Sequence, residues 1–328
     1  MNSIEKLKSL YENQLKPELA GLEKQRKTVA WLYRIVVALY SCAGLTFISI
    51  FIQANKIENN AVFMGFGVMF GCVFLGLILN LVPVHNLRKK YRLAYKNKVV
   101  KSVIATIEPE WKYQADAHVG ALDFKSSKLF SRPYSIFRGD DLVTGEIGKT
   151  DFRSSELEVK YQVGSGDNTE YHNLFSGFFF SADFNKNFSG ETYVVHGDIE
   201  AKVNTLRSLS EGRSTTKKRG EFVQLENPEF TKLFTVRSTG QQEARYLLTP
   251  RIMEALVKLH TKYPHPTHIS FIGKRVYFAI AFDKQLFEAR IFKPVANFDE
   301  VEKLYHLFML NAEIIGELSL NTRIWTKQ

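Results

Sequence analysis

The chain has 328 residues, 45% hydrophobic and 24% charged, which is ordinary globular usage and excludes a disordered, collagen-like or solenoid protein. Its formal net charge of +10 is unevenly placed, with fifteen Lys and Arg against six Asp and Glu in residues 1–108, and 29 against 28 in the remainder. The nearly neutral remainder offers no electrostatic footprint for nucleic acid, so the basic excess points to a different partner.

Residues 3–30 place apolar side chains at Ile4, Leu7, Tyr11, Leu15, Leu19 and Leu22. This spacing predicts an amphipathic cytosolic helix within residues 1–34, with a kink or restart at Pro17. Ile35 to Ile52, IVVALYSCAGLTFISIFI, carries no charge, and as a helix it covers roughly 27 Å of a hydrocarbon layer about 30 Å thick. Ala61 to Val82, AVFMGFGVMFGCVFLGLILNLV, is longer and equally uncharged. Together they predict a transmembrane hairpin over residues 35–84, with spans at 31–52 and 61–82. The short link QANKIENN makes the spans antiparallel neighbours.

Lys24, Arg26, Lys27 and Arg34 precede the first span, and Arg88, Lys89, Lys90, Arg92, Lys96, Lys98 and Lys101 follow the second. The positive-inside rule then puts both termini in the cytoplasm, for a multi-pass protein of the cytoplasmic (inner) membrane. Arg88, Lys89, Lys90 and Arg92 are the candidate contacts with the bilayer surface, each worth about 1 kcal/mol beside anionic lipid. Trp31, Tyr33 and Tyr91 are suited to the headgroup level.

The two cysteines, Cys42 and Cys72, fall inside the spans, which leaves no disulfide framework or thiolate zinc site for the rest of the chain. Gly67 and Gly71 form a GxxxG step, a surface for close helix approach. Its occupant is either a second copy, giving a homo-oligomer, or the chain's own first span, unless the step has no role.

Residues 85–108 predict a basic juxtamembrane helix with Leu87, Tyr91, Tyr95, Val99, Val103 and Ile107 on one stripe. It either pairs with the first helix as a stalk or lies flat on the membrane. At Pro109 the texture changes to short alternating segments. Leu157, Val159, Tyr161 and Val163 alternate with charged and polar residues, GSGDN turns the chain, and Tyr171 to Ser181 returns, predicting two strands. Thr192–Val195, Phe222–Leu225, His268–Ile272, Val276–Phe282 and Leu286–Phe292 are further strand candidates, and Ile252–His260 and Val301–Leu318 are helical by spacing. The fold class is α+β: a helical hairpin and stalk, then a mainly antiparallel sheet with packed helices. SLSEGRSTTKKRG at 208–220 reads as a linker between soluble subdomains at 109–207 and 221–328.

Two clusters invite a metal reading, and both fail it. Asp183, Asn185 and Asn187 have the spacing of a calcium loop's first ligands, but the sixth and twelfth places hold Phe188 and Val194. His260, His265 and His268 match no zinc pattern, and Pro264 and Pro266 mark a connection. No Walker loop, G-x-S-x-G elbow or H-E-x-x-H occurs, so no catalytic residue, metal or cofactor is expected. The polar tip Asp183, Asn185 and Lys186, between two Phe-Ser-Gly triplets, is the candidate ligand or partner site.

Several segments in order, "YKNKVVKSVIATIEPEW", "FSRPYSIFRGDDLVTGEIGKTDFRSSELEV", "LFSGFFFSADFNKNFSGETYVV", "EARYLLTPRIMEAL" and "LNTRIW", resemble the bacterial membrane proteins of the DUF3137 family, a domain of unknown function. The resemblance implies an uncharacterised two-span membrane protein and supplies no catalytic or binding residue. The leading functional expectation is a non-enzymatic, membrane-anchored module that binds another protein. The rival is a membrane-surface enzyme or small-ligand sensor with its site near the DFNK turn. A closed pocket lined by Asp183, His260 or His268 favours the rival, and an open apolar surface favours the module.

Overall fold

In the computed structural model the first helix runs without a break from the amphipathic stretch into the apolar one. Residues 3–53, 59–184, 187–197, 219–282 and 286–318 are described. The link at 54–58, most of the expected 208–220 linker and the closing LNTRIW stretch from residue 319 on lie outside them. Two compact units result, one of Met1–Thr106 with Glu288–Lys303 and one of Ile107–Phe287 with Leu304–Gln328.

In the first unit, α1 (Ser3–Leu10) passes through a π turn at Tyr11–Leu15 into α2 (Lys16–Gln53). Pro17 does not interrupt the helix. Pro17, which has no N–H to donate, follows directly on the π turn, where the Lys16 N–H already reaches back to the Tyr11 carbonyl and the regular ladder is relaxed. The same device recurs after α3 (Asn59–Leu79), where Pro83 sits in the π turn Asn80–Val84 that leads to α4 (His85–Tyr95). A third π turn, Lys96–Val100, joins α4 to α5 (Lys101–Ile107).

The 38 residues of α2 extend about 57 Å. A Cβ added at Gly65 would stand 2.7 Å from Ile50, one at Gly76 would stand 2.8 Å from Tyr40, and Arg26 lies beside Tyr91. As one number rises the other falls by nearly the same step, 11 against 10 and then 15 against 14, so α2 runs antiparallel to α3 and α4. Leu7, Tyr11, Leu15, Leu19 and Leu22 are buried, as are Tyr91, Tyr95, Val99 and Val103, the stripes that the spacing predicts. Further along the hairpin the pattern inverts, and Phe47, Phe51, Phe63, Phe70 and Phe74 are exposed. Glu5–Ile52 and Ala61–Leu79 are each long and apolar enough to cross a membrane.

Leu286–Phe292 is not a strand. Residues 288–297 form an irregular strap across the stalk, and side chains from the helices take up its backbone groups where a neighbouring strand would otherwise have done so. Arg26 Nη1 donates to the Ile291 carbonyl at 2.6 Å, the Val295 N–H donates to Glu23 Oε2 at 3.1 Å, and the Tyr91 hydroxyl donates to the Arg290 carbonyl at 3.4 Å. Tyr33 meets Phe292 edge-on with ring centroids 5.9 Å apart, and Tyr11 meets Phe298 in the same way at 5.3 Å.

The second unit holds an antiparallel sheet. Its strands are β1 (Lys112–Gln114), β2 (Ile136–Ile147), β3 (Thr150–Val163), β4 (Glu170–Asp183), β5 (Thr192–His196), β6 (Glu221–Phe222), β7 (Phe234–Ser238), β8 (Thr267–Ile272) and β9 (Arg275–Ala281). They lie in the order β1-β2-β3-β4-β9-β8-β5-β7-β6, with every pairing antiparallel. The protein is therefore α+β. Strands from both sides of the expected 208–220 boundary share this one sheet.

β4 is an interior strand, and its Phe178–Phe180 run is apolar on consecutive positions because both faces are covered there. Phe179 faces a cluster with Phe124 of α6 (Ala121–Ser126), Leu157, Phe175, Tyr193 and Tyr277. Phe178 and Phe180 are also fully buried, and Phe180 meets Phe278 edge-on. Leu256 and Leu259 of α9 (Pro250–Lys262) and Leu310 and Ile314 of α10 (Phe298–Glu317) close over Ile269, Phe278 and Ile280. Shorter helices α7 (Pro228–Leu233) and α8 (Gln241–Leu247) fill the connections. Each proline-led helix carries an N-cap: Asn227 accepts from the Phe230 N–H, and Thr249 accepts from the Ile252 N–H.

Candidate functional site

The Phe-Ser-Gly stretch forms a strand, a turn and a strand, but the two strands are not partners, because β9 and β8 lie between β4 and β5. The turn therefore crosses the end of the β8–β9 hairpin. The Phe184 N–H donates to the Lys274 carbonyl at 2.8 Å and the Phe188 N–H to the Gly273 carbonyl at 2.6 Å. Phe184 and Phe188 are buried against each other and Phe271, with centroids 5.1 to 5.9 Å apart. Asp183 is the last residue of β4, half-buried and in register with Arg275. Asn185 and Lys186 lie outside the described residues.

The second Phe-Ser-Gly triplet is held by Glu243 from α8. Its carboxylate accepts the Ser189 N–H at 3.0 Å, the Ser189 hydroxyl at 3.1 Å and the Gly190 N–H at 2.7 Å. Glu191 next to it accepts from the Tyr193 hydroxyl at 2.6 Å and pairs with Lys128. Burial pushes the Glu191 carboxyl up, but the bonds from Lys128 and Tyr193 together hold it below the usual carboxylate range. These contacts account for Ser189, Gly190 and Glu191 as the fastening of a crossing loop.

A constellation that the sequence reading missed lies on β2 and β3. Asp140, Asp141 and Glu156 bring carboxylate oxygens within 4.8 Å of one another, with Asp141 and Glu156 buried. Asp140 is in register with Glu156, and a bulge between Asp140 and Val143 turns Asp141 inward at a φ of 59°. The Tyr113 hydroxyl donates to Asp141 and the Leu286 N–H donates to Glu156 Oε2 at 3.0 Å. Burial first, and then the Asp141 charge, push the Tyr113 phenol far above its ordinary value, so it stays a donor. Three carboxylates this close can share a proton or take a hard cation, and here two of them already accept from Tyr113 and a backbone amide. The signal was the Asp-Asp pair in RGDDLV, which is silent until a strand register brings Glu156 opposite it.

The histidines sit at adjoining ends of strands and helix. His196 of β5 and His260 of α9 have ring centroids 4.2 Å apart, and His268 of β8 packs edge-on to Phe130 at 6.0 Å. Burial, then Arg219 and His196, push His268 down to about 4, and burial and His265 lower His260 as well. Beside His260, an enclosed space bounded by Phe234, Tyr263, Thr267 and Phe278 has room for about one water. By contrast, an open groove runs between Gln224–Glu229 and a wall made by Arg245 of α8, Leu248 just after it, and Met253 and Glu254 of α9. Tyr246, 71% exposed, belongs to the same helix as Arg245.

Of the predicted surface cations, Arg88, Lys89 and Lys90 are exposed. Arg92 instead turns towards Glu288 of the strap, 3.6 Å from Oε1, and the buried Lys96 approaches the same oxygen at 3.5 Å. Gly67 and Gly71 have no atom within 4 Å of an added Cβ, so the chain's own first span does not cover them.

The DUF3137 family model, described as a protein of unknown function, matches residues 173–320, which supports the resemblance over that range. The range takes in most of β4, its crossing loop and the segments through α10, whereas the quoted blocks before Asn173, and LNTRIW after Leu320, fall outside it. No curated protein matches the chain. Among solved structures, the crystal structure of the mycobacterial trehalose monomycolate transport factor A is 12% identical. The alignment covers 70% of this chain and 97% of that one, with a TM-score of 0.33.

Proposed function

We propose that the chain is a membrane-anchored module whose sheet unit docks another protein at the inner face of the cytoplasmic membrane. In this reading the hairpin of α2 and α3 spans the bilayer, both termini are cytoplasmic, and Arg88, Lys89 and Lys90 meet the lipid surface. The observation that carries it is the contrast between a small space and an open groove, two of the concavities among the described residues of the sheet unit. The enclosed space beside His260 is water-sized, too small for the 300 Å³ or more that a ligand pocket usually offers, roughly speaking. The groove at residues 224–254 is open along its length, as a partner segment requires.

The test is in-cell photocrosslinking from Tyr246 in the full chain, with Leu122, 81% exposed on α6, as the comparison position. A stoichiometric protein captured from 246 but not from 122, and lost in Glu254→Arg, supports the docking groove. Absence of any protein adduct from 246, alongside specific retention of a small metabolite by the purified chain, overturns it in favour of a ligand sensor.

A further inference from the structure

The strap holds an exposed aromatic that its own fold does not require. Phe292 is 65% exposed, a level at which a large apolar ring in an irregular segment makes little contribution to a core. Its ring contact is with Tyr33, two residues before the uncharged stretch of α2 begins. Trp31, 61% exposed, is on the same turn of α2, and Leu81, 63% exposed, marks the corresponding level on the returning chain. Lys293 and Arg34 are both exposed and flank this ring of apolar groups with positive charge.

The position of Phe292 is fixed by its neighbours. Arg26 and Tyr33 are seven residues apart on α2, two turns along one face, and they meet Ile291 and Phe292 in turn. Below them Glu23 holds Val295. The strap therefore climbs α2 towards the apolar stretch as far as Phe292, with the exposed Lys293 next in the chain, and descends to Val295. Aromatic rings and cations at the boundary of an apolar span are the composition that lipid headgroups and glycerol favour.

We propose that Phe292 and Lys293 form a third contact with the membrane, the ring lodged at the headgroup level beside Tyr33 and the ammonium against anionic phosphate. This rests on the reading that α2 and α3 cross the bilayer. Its consequence is that residues 288–303, remote in sequence from the hairpin, are held to the lipid surface by their own side chains as well as by the stalk.

The experiment places a single fluorophore on the full chain, with Cys42→Ala and Cys72→Ala, in vesicles of equimolar phosphatidylcholine and phosphatidylglycerol. Labels at Phe292→Cys and Lys293→Cys are compared with Phe74→Cys on α3 and Leu122→Cys on α6. Quenching of the 292 and 293 labels by a headgroup-level nitroxide lipid, with protection from aqueous iodide, is the expected result. If the 74 label is quenched by a deep nitroxide lipid while 292 and 293 are as open to iodide as 122, the strap contact is wrong and the spans stand. If the 74 label is itself open to iodide, the membrane reading fails and this inference with it. The Lys293 label keeps the test decisive should Phe292→Cys not fold.

Discussion

Glu23→Ala is the sharpest perturbation of the strap. The Glu23 carboxylate accepts Arg26 Nη2 at 2.6 Å, Arg26 Nε at 2.8 Å and the Val295 N–H at 3.1 Å, while Arg26 Nη1 holds the Ile291 carbonyl. Truncation at residue 23 removes the acceptor of Val295 and the carboxylate that fixes the guanidinium. A hydrogen bond to a charged group contributes about 1.5–3 kcal/mol when buried, and an exposed ion pair about 0–1 kcal/mol. The side chains of Glu23 and Arg26 are 21% and 11% exposed, between those limits, so the local cost is about 2 kcal/mol. That is about a 30-fold rise in the open population of the strap. Hydrogen exchange of the full chain in lipid nanodiscs, read at the Val295 amide, should accelerate by that order, with the β4 amides unchanged. Unaltered exchange at Val295 in a folded variant would refute the assignment of these bonds as the strap's fastening.

The pH dependence of the same contact has a definite sign. Hydrogen bonding by Arg26 first, and the Val295 N–H as well, hold the Glu23 carboxyl below its ordinary 4.5, against a smaller opposing effect of burial. Its contribution is therefore complete above 4.5 and lost as pH falls through the lower folded value, so Val295 protection should be steady above 4.5, decline from there to the lower folded value and level off below it. His268, pushed down to about 4 from 6.5, is neutral when folded and takes up a proton on unfolding between those values. Stability of the sheet unit should fall as pH drops from 6.5 towards 4, by at most about 1.4 kcal/mol per pH unit from this group, and His268→Phe should flatten that slope in thermal melts. Gly139→Ala would place a Cβ 2.4 Å from the Glu156 carbonyl oxygen, and a loss of about 1–3 kcal/mol is expected in denaturant melts, where an unchanged midpoint would contradict the tight β2–β3 approach. Gly76→Leu should loosen the α2–α3 hairpin by driving into Tyr40, whereas Gly67→Leu with Gly71→Leu should leave the melting of the detergent-solubilised chain unchanged. Dimer dissociation in that double variant would identify the Gly67 and Gly71 face as a self-association surface.

The helical hairpin was legible because long uncharged runs and heptad-like stripes are local signals. β3 and β4 were legible from equally local signals, the alternation of Leu157 to Val163 before GSGDN and the aromatic-rich return of Tyr171 to Ser181 after it. β2 was hidden by its own chemistry: Gly139 and Gly145 lack side chains where Glu156 and Trp111 approach, and the bulge at Asp141 breaks the alternation. Leu286–Phe292 had the apolar content of a strand, but its partners Arg26 and Tyr91 lie some two hundred residues or more away, beyond any periodicity. Lys96 illustrates the same limit. By sequence it belongs to a basic flank, yet it is 1% exposed, drawn inward by Glu288, and only the folded strap reveals that acid.

The strap also sets an order of events on the ribosome. Arg26 and Ile291 are 265 residues apart, so at about 5–20 residues per second the strap emerges roughly 10–50 s after the helix it fastens. Through that interval Tyr33 and Tyr91 have no strap over them. The charged pair beneath does not wait in the same way: Glu23 and Arg26 are three residues apart on one helix and satisfy each other as soon as that turn forms. The nascent hairpin thus carries its ionic latch already closed, and a chain released before residue 288 keeps its hairpin but never receives the segment that covers it.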